Sequence, residues 1–219
     1  MQPYFFPYLG YFQLIKAADV YVNLDHVSFM KRSYMTRNTI KNDVSLNVQV
    51  SGASQNVMCK DVMVNYEHEY LTKFYKTIQN HYQKSMNYDE VMTSVILPTM
   101  NGDAMTISNL NLRIIKSICD YLDIETKIIE SSENLCEKGA KKEKGLKQIT
   151  KELGGDIYVN AIGGTKLYDK DDFRKDNIDL FFVRTLDLDL KNPYYSTLHQ
   201  IFEYSKDHIK DQLCKYELI

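Results

Sequence analysis

This chain has no run of about 18 apolar residues, the length a membrane-crossing helix needs. Its first residues show no basic region, apolar stretch and small-residue cleavage site in succession. The expectation is therefore a soluble, cytoplasmic protein without membrane insertion. Excess charge is also lacking: 27 Lys and Arg against 29 Asp and Glu leave a formal net charge of -2. There is no global field to gather nucleic acid or anionic lipid, and nucleic-acid binding is disfavoured. Cysteine is sparse. Cys59, Cys119, Cys136 and Cys214 lie far apart, with no C-x-x-C pair and no histidine at a zinc-like interval, so they read as reduced and structural and no metal site is read. Several motifs are absent as well. Neither a G-x-x-x-x-G-K-[ST] loop nor a G-x-G-x-x-G turn occurs, which removes the common nucleotide fingerprints. Without G-x-S-x-G or H-E-x-x-H, hydrolase and zincin readings have no support. No internal repeat, Gly/Ser or Pro-rich linker or low-complexity tail divides the chain. Its 219 residues, 44% of them apolar, can bury a full core, and residues 1–219 read as one domain.

What is present alternates between strands and helices. Tyr11 to Ala18 is helix-compatible, and Asp19 to Leu24 reads as a strand by its β-branched and aromatic content. Val44 to Val50 alternates as a half-buried strand, with Asp61 to Asn65 as its partner after a turn at Ser51 to Gln55. Leu71, Phe74, Tyr75, Ile78 and Tyr82 fall at helical spacing within Glu69 to Gln83, their rings serving the core before any ligand. Ile107 to Leu122 is a second amphipathic helix, with Ser108 or Asn109 as its cap. Lys127 to Ile129 reads as a strand, Gly145 to Leu153 as a helix closed by Gly154-Gly155, and Asp156 to Asn160 and Ile178 to Val183 as strands. Leu198 to Leu213 reads as a terminal helix. This pattern predicts an α/β layered sandwich with a largely parallel central sheet, a small antiparallel hairpin or meander, and helices on both faces.

The chemistry-bearing segments are few. Six of the first twelve residues are Tyr or Phe, punctuated by Pro3, Pro7 and Gly10, so the opening is a shaped loop whose rings pack on a core or a ligand. Asp25-His26 stands where the first strand ends, the place where ligands collect in open α/β sheets. A carboxylate beside an imidazole there can accept a proton from an amine or hydroxyl; a plain turn with Asp as backbone acceptor is the other reading. Lys31, Arg32 and Arg37 put three cations within seven positions, beside Tyr34 and Asn38, suited to a phosphate or carboxylate or to an ordinary exposed basic stretch. Asn160 to Tyr168, with Gly163-Gly164-Thr165-Lys166, is a second polar strand end, either a substrate loop or a turn. Between Glu137 and Lys147, Lys138, Lys141, Lys142 and Lys144 form either a phosphate-gathering loop or a solvated charged face.

The string QPYFFPYLGYFQLI, followed by a strand and then D-H-V-S-F-x-K-R-x-Y-x-x-R-N-x-I, resembles the bacterial WbqC-like family. The likeness continues through Val44 to Val50, Gly163-Gly164 with Leu167-Tyr168, and Tyr195-Ser196-Thr197-Leu198. It implies a single-domain protein from among functions for O-antigen, capsule and other surface-polysaccharide synthesis. Positions carried over from the family make Gln2, Pro3, Phe6, Pro7, Gly10, Tyr11, Phe12, Asp25, Val27, Phe29, Lys31, Arg37 and Asn38 the site-forming set. The chain departs from the family where members carry a short apolar strand before the Gln-Pro, and a proline near Val48. Members commonly have an acid where His26 and His199 stand here, so a metal held by such acids would be bound differently or not at all.

Together these readings lead to a transferase or ligase that N-acylates or aminoacylates an amino group of a nucleotide-linked amino sugar. In it Asp25 and His26 are catalytic, and Gln2, Tyr4, Phe6, Tyr8, Lys31, Arg37, Asn38, Asn160, Lys166 and Tyr168 bind substrate. No cofactor is required by the sequence, and ATP with Mg²⁺ is compatible with it. The alternative is a non-catalytic accessory protein that binds a glycan intermediate; a purely structural role for the aromatics is a third. Exposed tyrosines also suit a homodimer surface.

Overall fold

The computed structural model describes residues 1–54, 57–137 and 142–219. After the opening loop, helix α1 (Leu9–Lys16) buries every residue from Leu9 to Ile15. A helix this short is held by that burial rather than by its own propensity. There follow β1 (Val20–Val22), β2 (Arg37–Ile40), β3 (Val44–Asn47), β4 (Val50–Ser51) and β5 (Met63–Val64). Helix α2 (His68–Tyr82) comes next, and then a continuous helical stretch made of α3 (Tyr88–Val91), a π turn (Met92–Ile96) and α4 (Leu97–Thr99). Pro98 has no N–H for the carbonyl four residues back; that carbonyl, on Ser94, accepts instead from the Ser117 hydroxyl at 2.8 Å. Ser117 lies on α5 (Ile107–Tyr121), whose cap is Thr106, accepting from the Asn109 N–H at 3.3 Å. The chain continues through β6 (Lys127–Ile129), α6 (Lys142–Glu152), β7 (Ile157–Ala161), a 3-10 turn (Ile162–Lys166), α7 (Lys170–Arg174), β8 (Asp179–Thr185), α8 (Thr197–Glu203), α9 (Lys206–Leu213) and β9 (Tyr216–Leu218).

The strands make several small sheets. β1 pairs with β6 in parallel, Val20 opposite Lys127 and Val22 opposite Ile129. β2 and β3 are antiparallel, as are β4 and β5. β8 lies between parallel β7 and antiparallel β9. The expected layered sandwich is therefore corrected to a mixed α/β architecture: among the described residues, no sheet holds more than two mutually parallel strands. The reason shows at Val48, expected inside one continuous strand. Its N–H turns to the Thr36 carbonyl at 2.8 Å, so β3 goes to β2, and only β4 reaches the expected partner, Val50 opposite Val64. The terminal helix is likewise broken in two, because the Ser205 hydroxyl accepts from the His208 N–H at 3.3 Å and starts α9 afresh.

The main core joins Phe5, Phe6 and Phe12 to Phe74, Ile78 and Tyr82 of α2, to the apolar face of α5, and to Leu198, Ile201 and Phe202 of α8. A smaller cluster, Phe173, Ile178, Leu180 and Phe182, sits under α7 and β8. Met1 lies beside the end of β1, its amine donating to the Val22 carbonyl and its carbonyl accepting from the Leu24 N–H at 2.8 Å. Among the described residues no helix is long and apolar enough to cross a membrane. Gln55, which the expected turn included, and Lys138, Gly139 and Lys141 of the lysine segment lie outside the described residues.

Candidate functional site

The carboxyl ends of β1 and β6 lie side by side, and the residues just past them meet. Asn23 extends the pairing, its N–H donating to the Ile129 carbonyl at 2.9 Å and its side-chain amide to the Glu130 carbonyl at 2.9 Å. Asp25 follows, buried, with Oδ1 accepting from the Ser132 N–H and the Ser132 hydroxyl, both at 3.0 Å, and from His26 Nδ1 at 2.8 Å. Burial pushes the Asp25 carboxyl up, but hydrogen bonds from Ser131, Ser132 and His26 outweigh it and hold the group below its ordinary value. An ionised carboxylate only accepts, so Nδ1 of His26 is the donor in its contact with Asp25, and Nε2 is the nitrogen turned towards Glu133. Nε2 stands 3.4 Å from Glu133 Oε1 and is shielded without a hydrogen bond of its own among the described residues. Lys60 holds the same Glu133 oxygen at 3.1 Å and, ahead of His26, keeps that carboxyl low. Because the Glu133 side chain is about half exposed (49%), swinging it aside to admit a ligand to Nε2 is inexpensive.

Cys59 adjoins this corner, its thiol donating to the Asp25 carbonyl at 3.1 Å. Burial pushes the thiol up to about 11, which suits a structural cysteine and not a nucleophile.

The opening loop divides its rings between core and surface. Phe6 is fully buried, edge-on to Phe5 at 4.8 Å and stacked toward Phe74 at 6.3 Å; it is core and offers no ring face to a ligand. Its backbone stands at φ 42, rare for a bulky residue. Two side chains hold it there, Asn38 Nδ2 at 2.8 Å and Ser196 Oγ at 2.7 Å, both donating to the Phe6 carbonyl. Asn38 is thereby committed to the loop, since its amide also reaches the Phe5 carbonyl at 3.3 Å. Gln2 Oε1 accepts from the Tyr4 hydroxyl at 3.2 Å. Tyr4 and Tyr8 are half-buried and join two rings from elsewhere: Tyr34, 61% exposed, 5.8 Å from Tyr4, and Tyr194, 82% exposed, 6.4 Å from Tyr8. Burial first, and then the proximity of Tyr4, Tyr194 and Tyr34, raises the Tyr8 hydroxyl above its ordinary value. These four tyrosines form one aromatic surface. Gly10 makes room for it, because a Cβ there would come within 2.5 Å of Tyr8 Cε2.

The remaining expected residues are spread out. Lys31 is exposed and lines an open groove; Arg37 is exposed at the start of β2, opposite Asn47. Asn160 is the last residue but one of β7, its Oδ1 accepting from the Ala161 N–H at 2.8 Å, Lys166 is exposed at the end of the 3-10 turn, and Tyr168 packs edge-on to Phe173 at 6.0 Å. These three belong to the β7–β8 unit, and among the described residues no contact joins their side chains to Asp25 or His26. Among the described residues no group of three His, Cys, Asp or Glu side chains is set to hold a metal ion. Sequence reasoning missed Ser132, Glu133 and Lys60, although the rule that singled out Asp25-His26, polar residues just past a strand, applies equally to Ser131-Ser132-Glu133 after Lys127 to Ile129.

An uncharacterized protein of Mycobacterium tuberculosis is 24% identical to this chain over 136 residues, which are 60% of this chain and 58% of the relative. The matched part thus spans a little over half of the relative's length. No solved structure matches the chain. The sequence pattern of the WbqC-like protein family matches residues 2–208, which take in the aromatic loop, both strand ends at the Asp25 corner and the start of α8, and the chain belongs to that family.

Proposed function

We propose that this protein is a transferase or ligase of bacterial surface-polysaccharide synthesis that forms an amide on the amino group of a nucleotide-linked amino sugar. The observation that carries the reading is the pair Asp25–His26, with Nδ1 fixed on a buried, ionised carboxylate at 2.8 Å; in the proposed reaction Glu133 swings aside and Nε2 serves as the proton acceptor. The sugar's amine nitrogen attacks the acyl carbon of an activated donor. The N–C bond forms, the bond from that carbon to the donor's leaving group breaks, and the amine proton passes to Nε2. Asp25 acts as the positioning residue that fixes the imidazole's tautomer. The Tyr4, Tyr8, Tyr34 and Tyr194 surface supports the same reading by offering rings to a sugar or base. ATP with Mg²⁺ enters only where the donor starts as a free acid. The pathway assignment rests on the family resemblance.

The test is to incubate UDP-linked amino sugars with acetyl-CoA and, in parallel, with ATP, Mg²⁺ and amino acids, and to follow the mass of the sugar nucleotide. A mass gain matching the amide, reduced about 10²-fold or more in His26→Gln with the same sugar-nucleotide affinity, supports the reading. Binding without any mass gain in the wild type favours the second reading, a non-catalytic accessory protein. The tyrosine surface speaks for that one, since it needs no proton acceptor.

A further inference from the structure

A short way beyond His26 lies an open groove of about 410 Å³, lined by Phe29, Lys31, Arg32, Thr36 and Gly52 among others. We propose that this groove holds the diphosphate of the nucleotide-linked ligand, with Lys31 and Arg32 as its counter-charges. The proposal deepens the reading above, on which the choice of a nucleotide-linked ligand rests.

Neighbours in an extended chain point to opposite sides, yet Lys31 and Arg32 line the same groove. The turn that allows it is built: Arg32 stands at φ 55, the Ser33 hydroxyl donates to the Met30 carbonyl at 2.7 Å, and the same oxygen accepts from the Met35 N–H at 3.2 Å. Among the described residues neither cation has a carboxylate partner, whereas Lys41 and Lys60 are each paired with a glutamate. Two adjacent uncompensated cations repel, and a ligand carrying two linked anionic groups satisfies both at once.

The rest of the lining fits that ligand. Gly52, at φ 72, would meet nothing within 4 Å if it carried a Cβ, so the backbone is open to close approach. Thr36 adds a hydroxyl, and buried Phe29 an apolar wall. The volume lies within the range of small-molecule sites and exceeds what a single phosphate fills. Placement links the groove to the proton acceptor: Phe29 is pinned by its N–H to the Val57 carbonyl at 2.8 Å, and the three residues from His26 to Phe29 span at most about 11 Å of chain. A sugar joined to a diphosphate in the groove can bring its amine to His26. Arg37, grouped with Lys31 by spacing, does not line the groove, and Arg32 takes its place.

Titration calorimetry on the full chain with UDP, UMP, uridine, pyrophosphate and phosphate tests this. Expected are binding of UDP and pyrophosphate, a loss of about tenfold in each of Lys31→Ala and Arg32→Ala and about a hundredfold in the double variant, and no change in Lys76→Ala, an exposed lysine elsewhere. Circular dichroism checks that the variants fold. Failure of UDP to bind, unchanged UDP affinity in the double variant, uridine binding as well as UDP, or UMP or phosphate binding as tightly as their diphosphate counterparts each overturns the proposal. If UDP binding depends on Lys31 and Arg32 while the wild type makes no amide, the groove stands and the acylation reading falls. If amide forms and is indifferent to both cations, the acylation reading stands and the groove falls.

Discussion

The side-chain amide of Asn38 donates to the Phe6 carbonyl at 2.8 Å and so holds a bulky buried residue at φ 42. Asn38→Ala leaves the Phe5 carbonyl without that donor and weakens the hold on Phe6, and a loss of about 1–3 kcal/mol is expected. Urea unfolding reads the change. If Asn38 were a substrate contact instead, stability would hold and only ligand affinity would fall.

Asp25→Asn keeps an oxygen for the Ser132 donors but removes the charge that orients His26. Turnover is expected to drop about 10²- to 10⁴-fold. The stability consequence has a definite sign. The folded-state value of Asp25 lies below its ordinary 3.8, so its contribution is fully present above that value and is lost as the pH falls through the lowered one. Melting curves of wild type and variant between pH 2 and 6 should therefore converge at the acid end; a constant gap across the range would contradict the linkage.

His199 lies in the core with Nδ1 2.9 Å from the Tyr82 hydroxyl, which in turn accepts from the Lys41 N–H at 3.2 Å. Burial lowers the imidazole below 6.5 and Lys41 adds to this, while Glu203 works the other way; the Tyr195 ring also faces it, at 5.3 Å. Since the neutral form is favoured in the fold, this contribution is present above pH 6.5 and is lost as the pH falls through the window just below it. Wild-type melting temperature should climb with pH across that window, and His199→Gln should flatten the climb. Equal slopes would show that the imidazole is not responsible.

Tyr34 and Tyr194 protrude, so replacing either with Ala should change stability by no more than about 0.5 kcal/mol. As members of a ligand-facing surface they should each weaken sugar-nucleotide binding several-fold. Gly10→Ala probes the same surface from below by driving a Cβ to 2.5 Å from Tyr8 Cε2, which turns the Tyr8 ring without removing it. Calorimetric affinities for the three variants check the idea, and wild-type affinity in all three would remove the tyrosines from the site.

Elements with strong periodicity or composition were legible in the sequence. Lys127 to Ile129 is a strand to the residue, in keeping with its β-branched isoleucines, and Ile107 to Tyr121 is a helix within one residue of its expected end, because its apolar residues recur at helical spacing. β2 was not legible. Arg37, Asn38 and Thr39 are polar, and the strand exists through its ladder with β3 rather than through its own alternation. Asp25-His26 could be placed at a strand end from local sequence, but Ser132 joins it only through the parallel pairing of β1 with β6. Asn38 and Phe6 show the opposite failure: residue type says that an amide and a ring are available, and only packing decides that both are spent on the loop itself.

The hydrogen bonds from Ser132 to Asp25 bridge 107 positions of chain. A ribosome-bound nascent chain therefore carries Asp25 beside His26 but not the Ser132 donors that anchor the carboxylate until β6 has emerged and docked beside β1. A fragment ending before Ser132 would contain both Asp25 and His26 and still lack the two Ser132 hydrogen bonds that hold the Asp25 carboxylate in the fold.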